Sequence, residues 1–206
     1  PIAEDNGTII DIGNWVLDEA CKQASIWQKQ GHFIKLAINL SAGQLKDSTI
    51  EKYIKSTLEK HCIDAHYLEV EITETGVMEN LSKAVDTLTN IKKYGISTAI
   101  DDFGTGYSSL SYLKKLPIDK VKIDKQFVHD LLIDEDDTSI VNAVIQLSKS
   151  LHLKVIAEGV ETDEQESYLV SRGCDMGQGY FYSKPVPADD FIAYFLDYSK
   201  TPSKID

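Results

Sequence analysis

Short apolar runs alternate along this chain with longer stretches in which apolar residues recur every three or four positions. The runs predict strands near Ile34–Leu40, Tyr67–Ile72, Ile96–Asp101, Lys120–Asp124, Lys154–Ala157 and Met176–Tyr180. The longer stretches predict helices near Ile12–Lys29, Ile50–His61, Lys83–Tyr94, Ser108–Lys114, Thr138–Leu151 and Glu164–Ser171, with a last one over Asp189–Tyr198. Strand starts fall roughly 20–35 residues apart, the length of a β-helix-β unit, which predicts an α/β fold with parallel strands. No Pro- or Ser-rich linker divides the chain, so one domain is expected over residues 1–198, with 199–206 as a tail.

Alternation within the strands separates their two faces. Val121 and Ile123 share one face and Lys122 and Asp124 the other; Leu68, Val70 and Ile72 oppose Glu69 and Glu71. Strands of an α/β protein are normally apolar on both sides. Here polar groups collect near the C-terminal ends: Asn39, Glu71, Asp101, Lys122, Glu158 and Gln178. Burying one unpaired charge costs several kcal/mol or more. A single such residue would be a satisfied core group; one at the same end of each successive strand describes a site. A parallel barrel places those ends on one rim. An open doubly wound sheet would gather fewer of them at a crevice. The barrel is favoured, although such a barrel has eight strands and only six are predicted.

The densest chemistry is Asp101-Asp102-Phe103-Gly104-Thr105-Gly106-Tyr107-Ser108-Ser109, directly after a buried-strand pattern. Adjacent carboxylates repel unless a cation bridges them or one is protonated, and the two glycines permit close ligand approach. Taken alone, the Asp-Asp pair reads more readily as an acidic turn capping the next helix.

Composition narrows the classes. The 206 residues are 42% hydrophobic and 26% charged, and the net charge of −12 speaks against DNA or RNA as a partner. Phosphates can still be met through divalent cations. Cys21, Cys62 and Cys174 have no metal-like spacing and read as idle thiols in a cytoplasmic setting; the histidines form no zinc-type pair. Any metal would therefore be held by oxygen. No apolar run approaches the ~20 residues that span a bilayer.

The segments Asn39-Leu40-Ser41, Glu71-Ile72-Thr73-Glu74, Asp101–Ser109, Lys122-Ile123-Asp124, Ala157-Glu158-Gly159-Val160-Glu161-Thr162 and Gln178-Gly179-Tyr180 resemble the EAL-domain family, the cyclic-di-GMP phosphodiesterases of bacterial signalling. Ser183-Lys184-Pro185-Val186-Pro187 is similar to the family's ending. The resemblance implies a modified (β/α)8 barrel of the TIM type. The Glu-Ala-Leu motif is not found in Pro1–Leu40, and Pro1–Asp5 resembles the segment after the family's second strand. Two strands and one metal-binding Glu are thus expected upstream, and this stretch alone is expected to have little activity.

The resemblance also implies roles. Asn39, Glu71 and Asp101 would hold one Mg²⁺ or Mn²⁺, and Asp101, Asp102 and Glu158 a second about 4 Å away, with Ca²⁺ inhibitory. Lys122 would orient or deprotonate the attacking water, and Gln178 would hold a water or the substrate. Glu74 would steady the loop Phe103, Gly104, Thr105, Gly106, Tyr107 and Ser108, with Glu161 and Tyr180 near the substrate. Plainer readings stand beside these. Lys122 pairs with Glu71 or Glu158, Glu158 and Glu161 sit solvated at a helix start, Trp15 and Trp27 pack the core, and Tyr180 is core or stacks on guanine. Cyclic-di-GMP is the expected ligand, a homodimer the expected state, and sensor or GGDEF domains the expected companions. A non-catalytic cyclic-di-GMP receptor is the alternative.

Overall fold

The computed structural model describes residues 2–106 and 110–198. The fold is α/β, and strand order follows chain order from β1 to β6. The chain packs as two compact units, Pro1–Ile100 with Ser109–Asp119, and Asp101–Ser108 with Lys120–Asp206.

The first unit runs α1 (Ile2–Asp5), α2 (Ile9–Lys29), β1 (Leu36–Asn39), α3 (Ala42–Lys46), α4 (Ile50–His61), β2 (Leu68–Thr73), α5 (Glu74–Glu79), α6 (Leu81–Lys93), the start of β3 (Ser97–Phe103) and α7 (Leu110–Leu113). β1 and β2 pair in parallel with Asn39 opposite Glu71. Every residue of β2 from Leu68 to Ile72 is buried, as expected of a strand covered on both faces. α4 and α6 are amphipathic helices that bury one stripe each, Ile50, Ile54, Thr57 and Leu58 in the first and Ala84, Thr87, Leu88 and Ile91 in the second.

The second unit holds the end of β3, then β4 (Lys120–Ile123), α8 (Lys125–His129), α9 (Glu135–Ser150), β5 (Lys154–Glu158), α10 (Asp163–Arg172), β6 (Met176–Gln178) and α11 (Ala188–Tyr198). β4, β5 and β6 are parallel neighbours, with Ile123 opposite Ala157 and Glu158 opposite Gln178. α10 opens with a capping box between Thr162 and Gln165 and closes on Gly173, whose φ of 77° is the left-handed turn that glycine adopts without penalty.

Besides the four-residue α1, three short helices escaped the periodicity reading: α3, α5 and α8. Each follows a strand end directly, and a side chain starts each one. Ser41, Thr73 and Asp124 accept backbone N–H bonds from Gln44, Gly76 and Gln126. α9 begins at Glu135, ahead of the expected Thr138, because Asp134 accepts from the N–H groups of Asp136 and Asp137. The acidic run there favours the positive end of the helix dipole.

The two tryptophans are a correction. Trp27 is buried, but Trp15 is 64% exposed. Twelve residues turn a helix by about a third of a revolution beyond three full ones, so the two rings leave α2 on different faces. Among the described residues, no helix is long and apolar enough to cross a membrane.

Candidate active site

In the second unit, the alternation of β4 sends Val121 and Ile123 to one side and Lys122 to the other. Lys122 is buried, and its ammonium lies between two carboxylates: 2.6 Å from Glu158 Oε1 at the end of β5 and 3.1 Å from Asp101 Oδ1 near the end of β3. Asp101 Oδ1 also accepts the backbone N–H of Asp102 at 3.0 Å. One carboxylate oxygen from each of Asp101, Asp102 and Glu158 lies within 4.8 Å of the others. Glu158 is one of the two plain partners expected for Lys122, and Asp101 is a further carboxylate on the same ammonium.

Asp102 sits under electrostatic stress. Its carboxyl is pushed up to about 6, first by burial, then by a hydrogen bond with Asp124, then by the charges of Asp101, Asp124 and Glu158. Its backbone is left-handed, with φ 54°, a conformation uncommon for any residue but glycine. The turn is closed by Thr105, whose Oγ1 donates to the Asp102 carbonyl at 2.9 Å. Phe103 points into the core, while Gly104 takes φ 103° and leaves room for the Phe127 ring, which a Cβ there would approach to 3.0 Å. Gly106 is exposed. Tyr107 and Ser108 lie outside the described residues.

Such a set of hard oxygen donors fits a divalent cation well. Three carboxylates crowd one another, a single lysine answers two of them, and protonation of Asp102 is favoured first by its burial and then by its acidic neighbours. Mg²⁺ and Mn²⁺ prefer carboxylate and water oxygen, and the described residues bring no thiol or imidazole into the cluster.

The remaining second-unit residues occupy strand ends nearby in sequence. The Gln178 carbonyl accepts the Val160 N–H at 3.0 Å, and its side chain is exposed. Glu161 is exposed; its own N–H donates to Gln165 Oε1 at 2.7 Å. Tyr180 is 59% exposed with the Lys184 ammonium 5.6 Å from its ring centroid, so it is not a core residue.

In the first unit, Asn39 is exposed at the end of β1 and Glu71 is buried opposite it in β2. Glu74, the first residue of α5, is buried and accepts a 2.7 Å hydrogen bond from the Tyr112 hydroxyl of α7. That helix follows the Asp101–Ser109 stretch in the chain.

Two contributors were missed in the sequence. Asp124 bonds to Asp102, and its place on the Lys122 face of the strand pattern was the available signal. Tyr112 carried none, since its partner lies 38 positions away.

In the second unit the ends of β3, β4 and β5 bring Asp101, Lys122 and Glu158 together, in an α/β fold of parallel strands. The chain matches the EAL domain over residues 1–185, and it belongs to that family. It is 45% identical over 196 residues to the signaling protein YkoW of Bacillus subtilis, covering 95% of this chain and 24% of the relative. To the bifunctional diguanylate cyclase/cyclic di-GMP phosphodiesterase MucR of Pseudomonas aeruginosa it is 41% identical over 194 residues, 94% of this chain and 28% of that protein. The chain thus spans about a quarter of the length of these curated relatives. The structure of the MucR phosphodiesterase in complex with c-di-GMP superposes with a TM-score of 0.89, covering 93% of this chain and 78% of that one at 41% identity. A calcium/c-di-GMP complex of BlrP1 from Klebsiella pneumoniae aligns with a TM-score of 0.76 at 31% identity, over 84% of this chain and 44% of that one.

Proposed function

We propose that the protein hydrolyses cyclic-di-GMP to linear pGpG with the help of Mg²⁺ or Mn²⁺. The carrying observation is Lys122 held between Asp101 and Glu158, with an Asp102 oxygen within 4.8 Å of both carboxylates. The relatives named as cyclic-di-GMP phosphodiesterases and the c-di-GMP complex of MucR support the choice of substrate.

In this reading Asp101 and Asp102 hold the cations, with Glu158, Asn39 and Glu71 completing the ligand sets. The cations, when bound, lower the pKa of a water and neutralise charge on the phosphoryl oxygens. Lys122 positions that water, its ammonium fixed by two carboxylates so that it needs no reorganisation during the reaction. Water oxygen attacks phosphorus, the bond from phosphorus to the ribose 3′ oxygen breaks, and that oxygen leaves with a proton as the 3′ hydroxyl. One phosphodiester becomes a 5′ phosphomonoester and the ring opens. Gln178 and Tyr180 face the substrate, and the Glu74–Tyr112 hydrogen bond steadies the loop that carries Asp102. A homodimer and companion signalling domains belong to the same reading.

The test is chromatography of cyclic-di-GMP incubated with the purified full-length protein and Mg²⁺ or Mn²⁺. The expected product is pGpG, absent after exhaustive chelation and suppressed when Ca²⁺ replaces Mg²⁺. Turnover that survives chelation would overturn the metal assignment, and binding without turnover would make the protein a receptor.

A further inference from the structure

A cyclic dinucleotide brings two phosphates, and the site described above accounts for only one. The C-terminal ends of β3, β4 and β5 and the residues just after them carry five carboxylates: Asp101, Asp102, Asp124, Glu158 and Glu161. The lysine among them, Lys122, is only 3% exposed at its side chain and is already engaged by Asp101 and Glu158. Cations over the carboxylate cluster can balance the phosphate being cut. The other phosphate would enter the same acidic surroundings without a partner, at a Coulomb cost that falls away only beyond about 10 Å at ordinary salt.

A separate cleft begins at the residue after Glu158. It encloses about 340 Å³ and is lined by Lys125, Gln126, His129, Asp130, Gly159 and Glu161. Lys125 is exposed, and among the described residues its ammonium has no carboxylate partner. Its stem, by contrast, is pinned. Gly159 has φ 71°, and a Cβ built there would lie 2.7 Å from Lys125 Cβ and 3.3 Å from Lys125 Cα. The β5–α10 loop therefore closes directly onto the backbone of Lys125, and only a glycine permits that approach. The result is a lysine whose root is fixed beside the Glu158 strand end and whose tip is free. Gln126 and His129, the latter 71% exposed at its side chain, add further hydrogen-bonding groups to the same wall.

We infer that Lys125 is a specificity-determining residue, the cation that receives the second, uncut phosphate of the dinucleotide in the cleft between α8 and the β5–α10 loop. The inference rests on cyclic-di-GMP being the substrate. It requires Lys125 to act on substrate binding and not on the chemical step, because Lys125 lies outside the carboxylate cluster.

The experiment compares wild type with Lys125→Ala and Lys125→Arg on two substrates. Cyclic-di-GMP carries the second phosphate; bis(p-nitrophenyl) phosphate carries a single phosphodiester and no second one. For Lys125→Ala, KM for cyclic-di-GMP is expected to rise about tenfold or more, the loss of one charge-assisted hydrogen bond, with kcat nearly unchanged. The dependence of KM on NaCl should flatten, bis(p-nitrophenyl) phosphate turnover should stay at the wild-type rate, and Lys125→Arg should restore most of the affinity. An unchanged KM, or an equal loss on both substrates, overturns the inference. Calorimetric binding of cyclic-di-GMP separates the two levels of the claim. Wild type that binds without hydrolysis still tests Lys125 through the affinity of the variant. Wild type that neither binds nor hydrolyses removes the substrate reading and the inference with it.

Discussion

Buried and half-buried carboxylates are handled in two different ways in the two units of this molecule. In the first, Glu74 is tucked under α5 and answered by a neutral hydroxyl, Tyr112, while Glu69 faces Lys35 at 3.7 Å. Glu74 and Glu69 are separately accommodated there, and the burial of Tyr112 beside Glu74 pushes its phenol upward, holding the donor hydrogen in place. In the second unit, Asp101, Asp102 and Glu158 converge on one another, and one lysine serves two of them. The difference separates a structural clasp from a reactive centre. An acid paired with a hydroxyl is complete; acids paired with each other store repulsion that a cation relieves.

The largest effect should come from the crowded cluster. Asp101→Asn and Lys122→Ala are each expected to reduce kcat to below a tenth of wild type, more than ~1.4 kcal/mol of barrier. The two should part in stability. Asp101→Asn removes a charge from a repelling set and should leave thermal unfolding of the metal-free protein unchanged or raised. Lys122→Ala leaves buried carboxylates without their cation and should lower it clearly. Equal melting temperatures for the two variants would erase the distinction drawn here.

An intermediate effect is expected at the clasp. Tyr112→Phe removes the 2.7 Å donor to a buried carboxylate and should cost about 1–3 kcal/mol in denaturant unfolding. A loss well under that range would mean the hydroxyl is dispensable and Glu74 is not a clasp.

The smallest effect is also the most diagnostic. Asp102 ordinarily titrates near 3.8 and is held up to about 6 in the folded protein. The folded state therefore binds that proton more tightly than the unfolded chain, so stability declines as pH rises from about 4 through about 6. Asn cannot ionise. Asp102→Asn should raise the melting temperature of the metal-free protein by about 2–4 °C above pH 7. The gain should shrink as pH falls through about 6 and vanish below about 4. Saturating Mn²⁺ should abolish or reverse it, because the cation relieves the same repulsion. A pH-independent gain would point instead to the left-handed backbone of Asp102, which Asn tolerates well.

Much of this was readable along the chain, because periodicity and local chemistry act over short distances. The six strands fall where the apolar runs stand, and the period-two pattern around Lys122 assigned it to the face opposite Val121 and Ile123. The short helices after β1, β2 and β4 were passed over, since a five- or six-residue helix shows no period; their capping residues Ser41, Thr73 and Asp124 were the legible signal. Trp15 departs from the expected core because it lies a third of a turn around α2 from the buried Trp27.

Sequence order alone thus settled the class of fold and which strand ends carry charge, since both follow from side-chain spacing of two or about four residues. Which charges meet was left to tertiary structure. The parallel register of β4 with β5 brings Glu158 to Lys122, and Asp101, near the end of β3, meets the same ammonium. Likewise Glu74 found Tyr112, and Asp102 found Asp124, across separations that no local pattern encodes. The reason is one of scale. Backbone preferences and apolar periodicity operate within a turn or a strand, whereas the field at a carboxylate is set by every charge within several ångströms, whatever its place in the chain.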